Sequence, residues 1–397
     1  MGMFADRMSS VQVSATLKVA AEAERLRRAG HSVVDFSAGE PDFPTPEHVK
    51  AAAKAAIDAN FTRYTAAAGI PELREAICAR YTRDYGVDIT AAEVLLTVGG
   101  KQALFNTALA LYNPGDEVIT HAPYWPTIPE QVKLVGAVPV IVQTGSEDGF
   151  RVSAEAILGK ITPKTKAIIL NSPSNPTGAL IEESVVATIA DEAAKRGIWT
   201  IVDLCYEQLI YETVPHNLPK TLFDRNRAKT VLCGSASKSY AMTGWRAGWT
   251  IAPKELTSVF NIIQGQSTSN ISSITQKAVL AAVSGSQDAV TAMLDEYRER
   301  RDNIHAWLTA HPGIQCVKPK GAFYLFPNIS GLLAPGTTST DFAQALLEKE
   351  HVVVTPGEAF DAPGYLRISY ATSMEQLREG ATRILRFAES LQHATAR

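Results

Sequence analysis

Residues 230–249 read TVLCGSASKSYAMTGWRAGW, a short apolar run followed by a lysine among small polar residues. The apolar part is typical of a short buried strand. Lys238 comes shortly after this strand, and Ser235, Ser237 and Arg246 lie close to it in sequence. Hydroxyl donors and a fixed positive charge suit an anion such as a phosphate, and an adjacent amine can act as a nucleophile. A lone lysine on a loop would be an ordinary surface residue, so the rest of the chain has to decide between these interpretations.

Around this stretch, short apolar runs alternate with helical segments from residue 93 onwards. Such alternation indicates a mainly parallel sheet covered by helices. We therefore predict an α/β fold with a mainly parallel seven-stranded sheet sandwiched by helices. The predicted strands are 94–98, 118–120, 139–142, 167–170, 198–202, 230–233 and 247–251, and the helices between them include 101–111, 126–135 and 182–196.

The N-terminal part of the chain has a different pattern. Residues 15–30 have the apolar spacing of an amphipathic helix, and 33–36 predict a short strand. The sequence GEPDFPTP at 39–46 contains three prolines, which forbid a helix and favour an extended connector. A helix is predicted at 46–59, with Thr45 as its N-cap.

The C-terminal part predicts a second, smaller unit. A long charged helix starts near residue 292 and leads to a strand pair near Phe323 and Val352, and a final helix covers 374–391. We expect two domains. These are a large α/β domain over 47–291 and a small α+β domain built from 1–46 and 292–397.

Composition narrows the class of protein. The 38 basic and 41 acidic side chains give a net charge of -3, so nucleic acid is not an expected partner. No apolar run is long enough to span a bilayer, and we expect no membrane partner. The four cysteines are far apart and form no CxxC pair, which favours neither a disulfide framework nor a zinc site. A reducing cytoplasm is the expected location.

Polar residues follow several predicted strands, at the ends where open α/β sheets bind ligands. The sequence GGK at 99–101 opens a helix whose free N–H groups can hold a phosphate. Asn175, Asp203 and Tyr206 follow two later strands. Each has an ordinary alternative, such as a structural turn or a helix cap. Together with Lys238 they are the parts needed to hold pyridoxal phosphate (PLP).

At this point the chain resembles a known family, the class I aminotransferases of PLP fold type I, and in particular the bacterial aspartate aminotransferases. The resemblance covers nearly the whole chain, and the order of the motifs is kept. The motifs are SAGEPDFPTP, RYTAAAGIPELREAI, GGKQALFN, PGDEVITHAPYW, NSPSNPTG, SASKSYAMTGWRAGW, GAFYLF and PGEAFDAPGYLRISYATS.

The resemblance implies a role for each residue around the cofactor ring. Lys238 is expected to form the Schiff base with PLP, and Asp203 to pair with the pyridine nitrogen. Tyr206 and Asn175 are expected to donate to the phenolic oxygen. Trp125 is similar to the aromatic residue that stacks on the ring, although core packing is a serious alternative for any tryptophan.

The resemblance also implies a phosphate site and a homodimer with shared active sites. Tyr64 is expected to reach a phosphate across the dimer interface. The other expected phosphate-binding groups are the backbone of Gly100 and Lys101 and the side chains of Ser235, Ser237 and Arg246.

Substrate recognition is expected from a third set of residues. Arg367 resembles the arginine that grips the substrate α-carboxylate, helped by Asn175 and the backbone of Gly39. Lys101 matches a lysine that binds the distal carboxylate of dicarboxylic substrates in one branch of the family. The alternative for Arg367 is a surface strand arginine in a salt bridge. The alternative for Lys101 is a solvated lysine in the first turn of a helix. Residues 126–132, PTIPEQV, depart from the pattern of the aspartate-type sequences, which leaves the substrate side chain open.

The expected function is a ping-pong transamination between an L-amino acid and a 2-oxo acid. Aspartate is the first candidate for the donor and 2-oxoglutarate for the acceptor. An aminotransferase of another specificity (prephenate, aromatic or alanine type) remains an alternative, as does a PLP-dependent lyase. A non-catalytic PLP-binding regulator is a further alternative, against which the slightly negative net charge argues.

Overall fold

The structure, a computed structural model, describes residues 5–9, 11, 23–213 and 216–395. Of the helix predicted at 15–30, residues 23–28 are helical, and the part before residue 23 lies outside the described residues. Within the described part of the chain, no helix combines the length and apolar character that a membrane crossing requires.

Seven strands of the described residues form one large sheet. The first strand of the chain, β1 (Val34–Asp35), belongs to a separate small sheet. The strands of the large sheet are, in chain order, β2 (Val94–Thr97), β3 (Glu117–Ala122), β4 (Val138–Gln143), β5 (Thr165–Asn171), β6 (Trp199–Asp203), β7 (Thr230–Ser235) and β8 (Gly248–Ile251). Their order across the sheet is β2-β8-β7-β6-β5-β3-β4. Strand β8 runs antiparallel to both of its neighbours, and the other pairings are parallel. The predicted fold class is confirmed.

The apolar runs of the sequence explain why these strands form. Every residue of β2, β7 and β8 is buried, as are the last five residues of β5. A parallel sheet covered on both faces needs continuous apolar runs, because neither face meets water. The predicted strand ends differ from the observed ones by one or two residues.

Helices cover the sheet and complete the rest of the chain. They are α1 (Glu47–Asp58), α2 (Pro71–Tyr85), α3 (Gly100–Leu111), α4 (Thr127–Leu134), α5 (Ala154–Leu158), α6 (Glu183–Arg196), α7 (Leu218–Asn226), α8 (Lys254–Ser267), α9 (Ser273–Ser284), α10 (Asp288–Thr309), α11 (Ser339–Glu350) and α12 (Met374–Thr395).

Two small sheets form outside the large one. The remaining strands are β9 (Tyr324–Leu325), β10 (Val352–Val353), β11 (Thr355–Pro356) and β12 (Leu366–Ser369). The prediction that strands near Phe323 and Val352 pair with each other is wrong. Strand β10 pairs in parallel with β1, and β9 pairs antiparallel with β12. A two-residue strand carries too little pattern to select its partner, so burial against the surrounding core decides the pairing.

The predicted N-cap of α1 is also wrong. Pro46 holds the cap position, and no side chain caps the helix. The hydroxyl of Thr45 instead donates to the Ala241 carbonyl at 2.7 Å and accepts from Trp245 Nε1 at 3.0 Å. The Thr45 hydroxyl therefore forms hydrogen bonds with residues distant in sequence and does not cap the helix.

The buried apolar side chains form separate clusters. Those that pack against the large sheet come from residues 49–290. Another cluster combines residues 34–36, 206–211 and 293–388. The second cluster includes Tyr206, three residues beyond the end of β6, so the two parts of the molecule meet at the carboxyl ends of the sheet strands.

Candidate active site

A cavity of about 930 Å³ lies at this meeting point. Because β2, β3, β5, β6 and β7 all run in one direction, their carboxyl ends meet at one edge of the sheet. Of the residues predicted from the sequence, Tyr64 does not line the cavity. Those that line it are Gly39, Gly100, Lys101, Trp125, Asn175, Asp203, Tyr206, Ser235, Ser237, Lys238, Arg246 and Arg367.

Asp203, Tyr206 and Lys238 form what we call the cavity floor. Asp203 is the last residue of β6 and is 3% exposed. Its Oδ1 accepts from the Cys205 N–H at 3.0 Å. Burial raises the pKa of Asp203 to about 6, against the lowering effects of this hydrogen bond and of Lys238. A buried carboxylate of this kind gains from a cationic partner in the cavity.

Lys238 faces Asp203 across the floor from the turn after β7. Its Nζ donates to the carbonyl of Gly39, in the connector between the two parts of the molecule. Burial lowers the pKa of Lys238, and the charges of Arg367 and Arg246 act in the same direction. The neutral amine, which is the nucleophilic form, is therefore more populated here than on an exposed lysine.

The third floor residue, Tyr206, is held by a tyrosine that sequence reasoning missed. The hydroxyls of Tyr206 and Tyr324 lie 2.8 Å apart, and their rings meet edge to face. Burial raises the pKa of Tyr206 well above its ordinary value, so its hydroxyl keeps its proton. The available signal was the motif GAFYLF, which contains Tyr324.

Arg367 enters the cavity from β12. Its Nη1 donates to Asn175 Oδ1 at 3.2 Å, and its Nη2 donates to the Ser37 carbonyl at 2.8 Å. The guanidinium carbon lies 4.6 Å from the centroid of the Tyr324 ring. Arg367 is 4% exposed, and among the described residues its buried Nε has no hydrogen-bond partner. A buried guanidinium fixed in this way can receive a carboxylate.

Gly100, Ser235, Ser237 and Arg246 form what we call the anion subsite. Helix α3 begins at Gly100, so its first N–H groups have no partner within the helix. Ser235 Oγ accepts from the Ser237 N–H at 3.1 Å. A Cβ on Gly99, whose φ is +79°, would lie 2.7 Å from Arg246 Nη2. A side chain at position 99 would therefore collide with the Arg246 guanidinium. The guanidinium and the free N–H groups at the start of α3 together suit a phosphate.

Lys101, Trp125 and Gln131 form the cavity mouth. The Nζ of Lys101 lies 5.1 Å from the centroid of the Trp125 ring, within reach of a cation–π interaction. Gln131 Nε2 donates to the Lys101 carbonyl at 3.0 Å. Trp125 is partly buried and packs against an apolar cluster of the large sheet, whereas Lys101 is exposed.

Asn171 is a second residue that sequence reasoning missed, although it opens the motif NSPSNPTG. Its side chain accepts from the Asn175 N–H at 2.9 Å and donates to the Asp203 carbonyl at 3.4 Å. Its own N–H donates to His121 Nε2 at 3.3 Å. Burial lowers the pKa of His121 to about 4, which keeps the accepting imidazole neutral. Asn171 therefore links the backbones of two predicted site residues.

Tyr64 is the predicted site residue that lies outside the cavity of the single chain. Its side chain is 90% exposed. The expected role across a dimer interface stays a prediction.

Comparisons with known proteins identify the family to which the chain belongs. The family model described as aminotransferase class I and II matches residues 31–384. The aspartate/prephenate aminotransferase of Cereibacter sphaeroides is 43% identical over 403 residues, covering 98% of this chain and 100% of that protein. The aspartate aminotransferase of Geobacillus stearothermophilus is 42% identical, covering 97% and 99% respectively.

A solved structure is equally similar. The aspartate aminotransferase from Thermus thermophilus with maleate matches this chain with a TM-score of 0.93 and 42% sequence identity. The match covers 98% of this chain and 100% of that one. By sequence and by structure, the chain belongs to the class I and II aminotransferases.

Proposed function

We propose that this protein is a PLP-dependent aminotransferase that transfers the amino group of aspartate to 2-oxoglutarate. One observation carries the proposal: a buried carboxylate, Asp203, and a partly buried amine, Lys238, face one cavity together with the anion subsite. No single residue of this group needs PLP, but the whole donor set fits it.

The fit can be followed from one side of the cofactor to the other. The anion subsite would hold the phosphate, and Lys238 would bond to the aldehyde carbon. Asp203 would pair with the protonated pyridine nitrogen, which supplies the positive partner that its buried carboxylate favours. Tyr206 and Asn175 would donate to the phenolic oxygen. Trp125 would stack on the ring.

When bound, PLP supplies an electron sink for the charge that develops at the donor's α-carbon. The protein supplies the rest. Arg367 grips the α-carboxylate of the donor, with Asn175 and the backbone of Gly39 beside it, and so fixes the direction of the Cα–H bond. Lys238 Nζ takes the proton from the α-carbon as a general base. That proton would pass from Lys238 to the C4′ carbon of the cofactor, and in the acceptor half-reaction the same amine would move a proton from C4′ back to the α-carbon.

The preference for aspartate rests on Lys101 and on the relatives. The side chain of Lys101 stands at the cavity mouth as a cation suited to a distal carboxylate. Relatives at 42% and 43% identity are named aspartate or aspartate/prephenate aminotransferases, and a structural relative was solved with maleate, a dicarboxylate. The Cereibacter sphaeroides name also makes prephenate a second candidate acceptor.

A half-reaction screen tests the function and the donor together. The PLP-loaded protein is mixed with single amino acids, and conversion to the pyridoxamine form is followed by absorbance. Aspartate and glutamate should convert the protein faster than alanine or phenylalanine. Loss of absorbance change with every amino acid, in a protein that binds PLP, would contradict transamination. Faster conversion with phenylalanine than with aspartate would contradict aspartate as the preferred donor but not transamination.

Three further proposals concern organisation. We propose a large domain over 47–291 and a small domain from 1–46 and 292–397, which the division of the buried apolar clusters near residue 291 supports. A homodimer with shared active sites would give the exposed Tyr64 a task at the partner's phosphate. The free cysteines of the described residues are compatible with a reducing cytoplasm.

A further inference from the structure

A buried ion pair lies behind the cavity floor. Arg80 is 1% exposed and Glu207 is 7% exposed, and Arg80 Nη2 donates to Glu207 Oε1 at 2.6 Å. Arg80 comes from helix α2, whereas Glu207 directly follows Tyr206 in the chain. The pair therefore ties a helix far away in sequence to the turn that carries a floor residue.

The second oxygen of Glu207 is also used. Its Oε2 accepts from the hydroxyl of Tyr85 at 2.8 Å and from the hydroxyl of Tyr81 at 3.3 Å. Both tyrosines belong to α2, like Arg80. Three donors from one helix thus fix the orientation of the carboxylate, and with it the turn that begins after Asp203.

The guanidinium of Arg80 lies among aromatic rings that lead to Lys238. Its carbon is 5.5 Å from the ring centroids of Tyr81 and Trp249, and 5.9 Å from that of Tyr240. Tyr240 is two residues beyond Lys238 in the chain. The same cation therefore contacts the segment that carries the second floor residue.

Trp249 completes the connection to the anion subsite. Its Nε1 donates to the hydroxyl of Tyr81 at 3.2 Å, and it lies opposite Gly234 in the pairing of β7 with β8. A Cβ on Gly234 would lie 2.1 Å from Trp249 Nε1, so the indole packs directly on the backbone that precedes Ser235.

A buried ion pair is weak evidence for stability, because desolvation offsets the attraction, but its geometry is specific. Here that geometry joins the two turns of the cavity floor. We propose that Arg80 and Glu207 are positioning residues that hold Tyr206 at a fixed place relative to Lys238. This inference rests on the proposed function, since it assumes that Tyr206 donates to the cofactor.

The variant Glu207→Gln tests the inference, because it keeps the size of the side chain and removes its charge. One readout is the pH midpoint of the visible absorbance of bound PLP without substrate, which reports on the hydrogen bond to its phenolic oxygen. The midpoint should move by about half a pH unit or more. In steady state, kcat should fall about tenfold, with the KM for aspartate within about threefold.

A double variant separates positioning from general damage. If Glu207 acts through Tyr206, then Glu207→Gln should add little to the midpoint shift in a Tyr206→Phe background. Additive shifts in the double variant overturn the inference.

Two further variants control for folding. Arg74, on the same helix, donates to the carbonyls of Val94 and Ala91. Arg74→Met should lower the melting temperature and leave the midpoint unchanged. Tyr85→Phe removes one donor to Glu207 and should shift the midpoint less than Glu207→Gln but in the same direction, which gives an answer even if Glu207→Gln does not fold.

The possible failures are distinguishable. Wild-type protein that gives no absorbance of bound PLP overturns the proposed function and this inference together. Wild-type protein with normal absorbance and turnover, beside Glu207→Gln and Tyr85→Phe variants with unshifted midpoints and unchanged kcat, overturns this inference alone. A shifted midpoint in Arg74→Met also overturns it, because any damage to α2 would then have the same effect.

Discussion

The cavity floor and the cavity mouth are built on different principles. The floor residues are mostly buried at the ends of sheet strands, and core neighbours fix them, such as Tyr324 beside Tyr206. At the mouth, Lys101 and Trp125 touch each other at the edge of the cavity and are partly open to solvent. A change at the floor should therefore affect every substrate, whereas a change at the mouth should affect some substrates more than others.

The largest effect is expected for Lys238→Ala. In the proposed mechanism the amine both bonds to PLP and acts as the general base, so turnover should fall by more than about 10⁴-fold with every donor. Single-turnover half-reactions with aspartate and alanine measure this. Turnover within tenfold of the wild type would show that Lys238 is not required for catalysis and would contradict the distinction between floor and mouth.

Asp203→Asn should have the next largest effect. An amide cannot hold a proton on the pyridine nitrogen as a carboxylate does, so kcat should fall about 10³-fold. The loss should again be the same for aspartate and alanine. A loss of kcat confined to aspartate would show that Asp203 affects substrate selection, as expected for a residue of the mouth, and would contradict its assignment to the floor.

The same carboxylate predicts a pH dependence of stability in cofactor-free protein. Its folded pKa is about 6, above the ordinary value of 3.8, so the folded state binds the extra proton between these values. The stabilising contribution is complete below pH 3.8 and is lost as the pH rises through 6. Relative to Asp203→Asn, wild type should lose roughly 2 kcal/mol of unfolding free energy from pH 4 to 7.

Urea unfolding of both cofactor-free proteins at these two pH values measures the difference. The variant serves as the control for all other titrating groups. Equal pH dependence in the two proteins would show that burial does not raise the pKa of Asp203 in the absence of PLP.

Arg367→Lys lies between floor and mouth in its expected effect. A lysine keeps the charge but loses the planar fork that contacts Asn175 and Ser37 and that we propose receives the carboxylate. The kcat/KM should fall about 10²-fold. Because every amino acid has an α-carboxylate, aspartate and alanine should suffer alike. Unequal losses would move this arginine into the selective part of the cavity.

The smallest effect is expected for Lys101→Ala at the mouth. The KM for aspartate should rise about tenfold, since one partly exposed charge interaction is lost. The KM for alanine should change by less than about twofold, as alanine has no distal carboxylate. Steady-state kinetics with both donors decide this, and equal effects would remove the distinction between floor and mouth.

Much of the floor could be predicted because its residues follow apolar strands in the sequence. A strand buried on both faces gives a clear signal, and Asp203 and Lys238 each lie within three residues of one. The direction of parallel strands then requires their carboxyl ends to meet. The resemblance to a known family supplied Trp125 and Arg367, which periodicity alone would not select.

The rest depended on contacts between distant parts of the chain. Tyr324 touches Tyr206 across 118 positions, and Arg80 reaches Glu207 across 127. Neither contact leaves a local pattern, because hydrogen bonds between side chains require no particular spacing in sequence. The pairings of β1 and β9 were missed for a related reason, since two residues cannot display a period.

The bond between Arg367 and Ser37 has a consequence for the timing of synthesis, because 330 positions separate the two residues. A ribosome that has passed the end of β8 has made all strands of the large sheet, and with them the floor and the anion subsite. Strand β1 then still lacks β10, and Arg367 has not yet been synthesised. Such long-range pairings form late and slowly. The residues of the floor and of the anion subsite are therefore synthesised before Tyr324, which holds Tyr206, and before Arg367, so translation sets the order in which the parts of the cavity become available.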